Sequence, residues 1–264
     1  MSYGDQTGPL AIAHRGGAGL APENTLAAFG MSAALGFRYL ETDVRLTRDG
    51  ELVCFHDSTL DRVTEALGRV HDRPLADLRH TLVEGREPIP TLAEALDAFP
   101  DCNFTVDLKD EAAIAPLASL LRNRSYAERV CVAGAWDGWL ARLSRVTPGV
   151  HTALGWRSLT ALICSSRAGT RPSRRFATAP FAHVPVRLGS VPIFVERLAR
   201  NAHRIGVRVN VWTVDDPHLM HELLDMGVDG IITDRPDVLR EVLIARGEWV
   251  APNSPQPAGA ERAG

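Results

Sequence analysis

The sequence predicts an α/β fold, a single (β/α)8 TIM barrel. Three observations carry that expectation. Short apolar runs alternate with amphipathic stretches, eight of each, along nearly the whole chain. The chain has 264 residues, and a single barrel of this kind needs about 250. Ionisable side chains also collect just where the apolar runs end, which is where such barrels place their chemistry. A doubly wound open sheet is the alternative that the same alternation permits.

The units follow in order. The apolar run 10–13 ends in His14-Arg15-Gly16-Gly17. The helix expected at 25–35 opens with Pro22-Glu23-Asn24-Thr25, with Asn24 or Thr25 as the cap. Strand 39–46 carries Glu41-Thr42-Asp43. A loop-rich insertion at about 47–90 follows, with a short strand at 52–55 that ends in His56-Asp57, before the helix at 91–98. Strand 103–108 leads into Asp107-Leu108-Lys109 and the helix at 112–122. The units 129–132 with 137–145, and 151–155 with 158–166, end their strands at Trp136-Asp137 and Trp156. Strand 182–187 ends at Arg187 and precedes the helix at 193–205. Strand 207–214 carries Trp212-Thr213, and Asp216-Pro217 opens the helix at 217–226. Strand 230–233 ends at Asp234, which reads as the cap of the last helix, 236–246. Residues 10–248 are thus one domain, behind a flexible N-terminus at 1–9 and ahead of a disordered Pro-, Ala- and Gly-rich tail at 249–264.

Composition bounds the function. The net charge of -3 and the absence of a long basic run argue against nucleic-acid binding. No stretch reaches the roughly 18 apolar residues of a membrane span, and the first residues lack the basic flank and apolar run of a secretion signal. Cys54, Cys102, Cys131 and Cys164 are scattered among apolar neighbours, which reads as reduced core cysteines in a cytoplasmic protein. The oligomeric state has no sequence signature. One count stands out. The 29 cationic side chains comprise 28 arginines and a single lysine, Lys109, set in a strand-like stretch.

The candidate site follows from strand periodicity. Residues i and i+2 share a face of a strand. Glu41 and Asp43 therefore point one way, as do Asp107 and Lys109. Carboxylates buried against helices without partners are costly, whereas at the top of the lumen they suit a hard divalent cation. Structural salt bridges to Arg15, Arg45 or Lys109 are the competing reading. His14 and His56 each end an apolar strand, and an imidazole titrates near neutrality, which suits proton transfer. The other seven histidines read as surface, capping or, for His183, structural residues. The glycines at 16, 17 and 19 leave room for an anion near the backbone, a nonspecific signal.

These segments resemble a known family. AHRGGAGLAPENTLAAF, YLETDVRLTRDGELVCFHDSTLDR, IPTLAEAL, VWTVDD and GVDGIITDRPD look, in that order, like the glycerophosphodiester phosphodiesterases. The resemblance implies a (β/α)8 barrel with a small insertion after the second strand. It implies metal-dependent hydrolysis of small glycerophosphodiesters to glycerol 3-phosphate and an alcohol, with one Mg²⁺ or Ca²⁺. By motif, His14 and His56 match the acid–base pair and Arg15 the phosphate-binding arginine. Glu41 and Asp43 match metal ligands. Asp107 stands where the family usually has a glutamate, one methylene longer, two residues before the lysine that Lys109 matches. Trp212 matches an aromatic of the substrate pocket. Three other readings compete: a phospholipase D-like phosphodiesterase or lyase acting on lysophospholipids, a Schiff-base aldolase using Lys109, and a non-catalytic phosphate-binding barrel.

Overall fold

The computed structural model describes residues 2–188, 191–192 and 195–251. Eight parallel strands form a barrel: β1 (Leu10–Ala13), β2 (Tyr39–Leu46), β3 (Asn103–Leu108), β4 (Val130–Gly134), β5 (His151–Thr152), β6 (Phe181–Pro185), β7 (Arg208–Trp212) and β8 (Gly230–Thr233). Ladders run continuously from β5 through β4, β3, β2, β1, β8 and β7 to β6. The last seam is thinner. It holds one bridge, Ala153 with Phe181, and the Leu154 N–H donating to the Phe181 carbonyl at 2.7 Å. The helices between strands are α1 (Leu26–Ala34), α2 (Leu92–Ala98), α3 (Ile114–Leu120), α4 (Asp137–Val146), α5 (Trp156–Arg167), α6 (Val195–His203), α7 (Pro217–Asp225) and α8 (Pro236–Ala245). The barrel expected from the alternation is the barrel observed.

The period of two sorts each strand into two cores. Ala11, Leu40, Val44, Phe104, Val106, Val130, Val132 and Val209 face outward and join the helices in the larger core. Leu10, Ile12, Tyr39, Cys131, Ala133, Phe181 and Ile232 fill the lumen. The luminal residues of β4 and the following strand end are small (Cys131, Ala133, Ala153). They leave the lumen wide on that side, and the pocket described below opens there.

The insertion has a minor core of its own, built on Val53, Phe55, Leu60, Val70, Leu78, Val83 and Ile89. Its strand, Leu52–Cys54, pairs antiparallel with the end of β2, with Cys54 opposite Val44. The Phe55 N–H then donates to the Asp43 carbonyl at 3.0 Å. This hairpin carries His56 to the barrel mouth.

Several sequence expectations change. Residues 2–9 are not a loose arm. Tyr3 is buried inside the barrel, its hydroxyl 2.6 Å from the Thr105 hydroxyl and its ring edge-on to Tyr39 and Phe181. A plug supplied from the N-terminus has no local pattern to announce it. At the other end, Trp249 packs on Phe37 and beneath Arg240, so the ordered chain runs past 248. Residues 252–264 of the expected tail lie outside the described residues, as do 193–194 at the expected start of α6. Strand β5 stops at Thr152 rather than 155, and α5 starts two residues early, at Trp156. The cause is a tertiary cap. The Asp137 carboxylate accepts from the peptide N–H groups of Arg157 at 2.9 Å and Ser158 at 3.2 Å. Cys54, Cys102 and Cys131 are buried as expected, but Cys164 is exposed.

Candidate active site

At the end of β1 the chain tightens into a turn, His14–Gly16, with Arg15 at φ 49 and Gly16 at φ 82. A Cβ on Gly16 would stand 2.6 Å from the Phe29 ring, so the turn needs glycine there. The turn aims the Arg15 N–H at Glu41 Oε2, 2.7 Å away. His14 Nδ1 lies 2.7 Å from Asp234 Oδ1, and Nε2 lies 3.9 Å from Glu41 Oε2. Burial pulls the His14 pKa down. The hydrogen bond to Asp234 and the charges of Glu41 and Asp234 more than offset it, so His14 titrates above its ordinary value. His56 has the same construction, with Nδ1 2.6 Å from Asp57 Oδ1. Asp57 is in turn held by Arg62 Nε at 2.5 Å.

Glu41 and Asp43 face the lumen as their spacing requires, and both are nearly inaccessible. Burial, then the charge of Asp43, push the Glu41 pKa up to about 7. Burial acts on Asp43 in the same direction, but Lys109, His56 and Arg15 overcome it and hold Asp43 below its ordinary value. Lys109 Nζ sits between two carboxylates, 2.5 Å from Asp107 Oδ2 and 2.8 Å from Asp43 Oδ1. Burial disfavours its charge. The two aspartates outweigh that and keep the ammonium protonated well beyond its ordinary range. Asn24, in left-handed backbone at φ 59, donates to Asp43 Oδ2 at 3.0 Å and accepts from the Thr42 hydroxyl at 2.7 Å.

All eight residues singled out by sequence (His14, Arg15, Glu41, Asp43, His56, Asp107, Lys109 and Trp212) line one cavity of about 360 Å³ at the C-terminal mouth of the barrel. The structure also supplies what sequence reasoning missed. Asp234 reads locally as a helix cap, but it bonds His14, and α8 begins without a side-chain cap. Thr25, not Asn24, caps α1. Glu23 receives Arg15 Nη1 at 2.9 Å and Arg62 Nη2 at 2.6 Å. His183 lines the cavity wall, and its Nε2 is buried without a hydrogen-bond partner. Trp136, Trp139 and Trp156 line the far wall. Only the strand-end tryptophans Trp136 and Trp156 left a sequence signal.

Glu41, Asp43 and Asp107 offer oxygen donors alone, the set that Mg²⁺ and Ca²⁺ take. In donor chemistry the residues fit a hard divalent cation. They are not drawn into a ligand cluster, however. Among the described residues no three such side chains are gathered closely enough to hold a metal. Lys109 stands between Asp43 and Asp107 and takes an oxygen of each.

The barrel mouth thus gathers two aspartate-backed imidazoles, a guanidinium, an ammonium and three carboxylates, groups able to exchange protons and to bind an anion. The chain belongs to the glycerophosphoryl diester phosphodiesterase family, whose sequence profile matches residues 14–238. It is thus an enzyme of the phosphodiesterase class. The "Probable glycerophosphodiester phosphodiesterase 2" of Mycobacterium tuberculosis is 40% identical over 246 residues, covering 92% of this chain and 93% of that one. The glycerophosphodiester phosphodiesterase of Caldanaerobacter subterraneus subsp. tengcongensis is 32% identical over 244 residues, covering 87% and 96%. An Oleispira antarctica phosphodiesterase, solved in complex with the product sn-glycerol-3-phosphate, shares the fold with a TM-score of 0.73. Its identity is 24%, and the match covers 90% of this chain and 97% of that one.

Proposed function

We propose that this enzyme hydrolyses glycerophosphodiesters to glycerol 3-phosphate and an alcohol, with a divalent cation, Mg²⁺ or Ca²⁺, held by Glu41, Asp43 and Asp107. The observation that carries the reading is the convergence of His14, Arg15, His56 and Lys109 with these carboxylates on one cavity. When bound, the cation polarises the phosphoryl oxygens and offsets the charge that grows on them. The remaining work falls to the protein. Arg15, with Nε facing Asp43 Oδ2 at 3.4 Å and Nη1 held by Glu23, keeps its guanidinium fixed on the cavity, a charge suited to a phosphate oxygen. Lys109 brings a fixed positive charge to the developing anion. With Nδ1 of each imidazole facing an aspartate, His14 and His56 present Nε2 to the substrate. One takes a proton from the nucleophile, water or the neighbouring glycerol hydroxyl, and the other returns one to the leaving alkoxide.

The Schiff-base alternative fits poorly. A lysine amine attacks carbonyls only when deprotonated, and Asp43 and Asp107 hold Lys109 charged. The free state of all four cysteines supports a reducing compartment and so the cytoplasm. No helix among the described residues is long and apolar enough to cross a membrane. The direct test is a panel of glycerophosphodiesters assayed with Mg²⁺, Ca²⁺ and EDTA, with His14→Ala and His56→Ala alongside. Turnover should fall by about two orders of magnitude or more in each variant. Near-wild-type turnover in either variant would sink the acid–base assignment.

A further inference from the structure

The cavity has two unlike halves. One is the charged cluster already described. The other is formed by the ends of β4 and β5 and the first turns of α4 and α5, and its lining from Ala133 to Leu159 contains no charged side chain. Its bulk is tryptophan. Trp136 and Trp139 meet edge-on, ring centres 6.4 Å apart. Trp136 is 60% exposed and Trp156 is 37% exposed, unusual for residues of that size at the rim of a pocket.

This wall is rigidly mounted. The Trp156 N–H donates to the Ala135 carbonyl at 2.9 Å, which ties the two tryptophan-bearing loops together. Asp137, next to Trp136, caps the first turn of α5, which Trp156 begins. A Cβ on Gly155 would stand 2.4 Å from the Asp137 nitrogen, so the two loops approach as closely as backbone allows. A preorganised aromatic wall costs little to order when a ligand arrives.

Resting on the phosphodiesterase reading, we infer that Trp136, Trp139 and Trp156 receive the leaving alcohol, and that this alcohol carries a quaternary ammonium group. With the phosphate among His14, Arg15 and Lys109, one ester arm must turn toward the uncharged half. Glycerol, with two free hydroxyls, finds no charged or accepting side chain there and only indole N–H groups as donors. A trimethylammonium group is better matched, because tryptophan faces attract a weakly hydrated cation and aromatic clusters serve this purpose. The cavity of about 360 Å³ accommodates a compact head group beside glycerol phosphate.

The test compares kcat/KM for glycerophosphocholine, glycerophosphoethanolamine, the neutral 3,3-dimethylbutyl isostere of the choline ester, and lysophosphatidylcholine. The choline ester should lead both the ethanolamine ester and the neutral isostere by on the order of 10-fold. Trp136→Ala and Trp156→Ala should each shrink that lead by about 5-fold. Should those variants not fold, Trp136→Leu and Trp156→Leu keep an apolar side chain without a π face and should shrink the lead in the same direction. Tetramethylammonium should also inhibit the wild-type enzyme competitively, where tert-butanol does not. Equal handling of choline and its neutral isostere overturns the inference. So does a preference for lysophosphatidylcholine that the tryptophan variants lose, which would make the wall an acyl-chain site. If no diester is hydrolysed at all, the phosphodiesterase reading itself fails.

Discussion

His14 and Asp234, 220 positions apart in the chain, meet at 2.7 Å across the β1–β8 ladder. Strand β8 brings its end beside that of β1, so the last strand of the barrel orients a histidine of the first. The pairing raises the His14 pKa against the pull of burial. Asp234→Asn removes the negative charge and weakens the hydrogen bond that together do most of this raising. Whichever role His14 plays, the limb it controls in the pH dependence of kcat/KM should move to lower pH. Turnover should fall by about 10-fold or more. An unshifted profile would show that Asp234 does not tune His14. The same pair stabilises the fold at pH below the unfolded value of about 6.5. That contribution is lost as pH rises through the higher folded value.

Lys109→Arg keeps the charge but should cost most of the activity. An arginine fork is planar and wider than an ammonium, and the gap it must enter is fixed by contacts of 2.5 and 2.8 Å to Asp107 and Asp43. Lys109→Ala should in addition cost about 3 kcal/mol of stability, because Asp43 stays buried without its main counter-charge. Steady-state rates and thermal melts check both. A fully active arginine variant would show that the lysine's solitude in the sequence is compositional chance.

Removing divalent cations with EDTA should lower turnover by roughly 100-fold or more, with recovery on adding Mg²⁺ or Ca²⁺. Glu41→Gln should retain little of that recovery, since a neutral amide is a weaker ligand for a hard ion. Full activity in EDTA would leave Lys109 and Arg15 as the charges on which the reaction runs.

His183 should make the fold acid-sensitive. Burial alone drives its pKa down to about 4, against about 6.5 when unfolded. Between those values the unfolded chain binds the extra proton, so stability rises with pH there. Over the whole window the difference is about 3 kcal/mol, lost as pH falls toward 4. His183→Gln should flatten that part of the stability curve, as read by urea midpoints. An unchanged slope would mean that His183 is already relaxed or hydrated.

The barrel and most of its mouth were legible because both depend on short-range periodicity. Glu41 with Asp43, and Asp107 with Lys109, share a strand face by spacing alone, and the structure places all four on one cavity. Legibility ended where the partner lies far along the chain. Asp234 looked like a cap because its local setting, ahead of Arg235-Pro236, is that of a helix start. Asp137 capping α5 and Tyr3 filling the barrel floor follow the same rule, as each acts on an element it does not adjoin. The tryptophan wall was present in the sequence as scattered aromatics, and only the close approach of two loops makes it a surface.

The aspartate-clamped ammonium has a practical side. Reagents that acylate or reductively alkylate amines find 28 arginines that do not react with them and one lysine. That lysine is inside the pocket and held protonated. Apart from the chain's α-amino group, the protein therefore offers these reagents no other amine, and any slow side-chain labelling should vanish when a ligand fills the cavity. The molecule carries a single built-in reporter of its own occupancy, readable by mass alone.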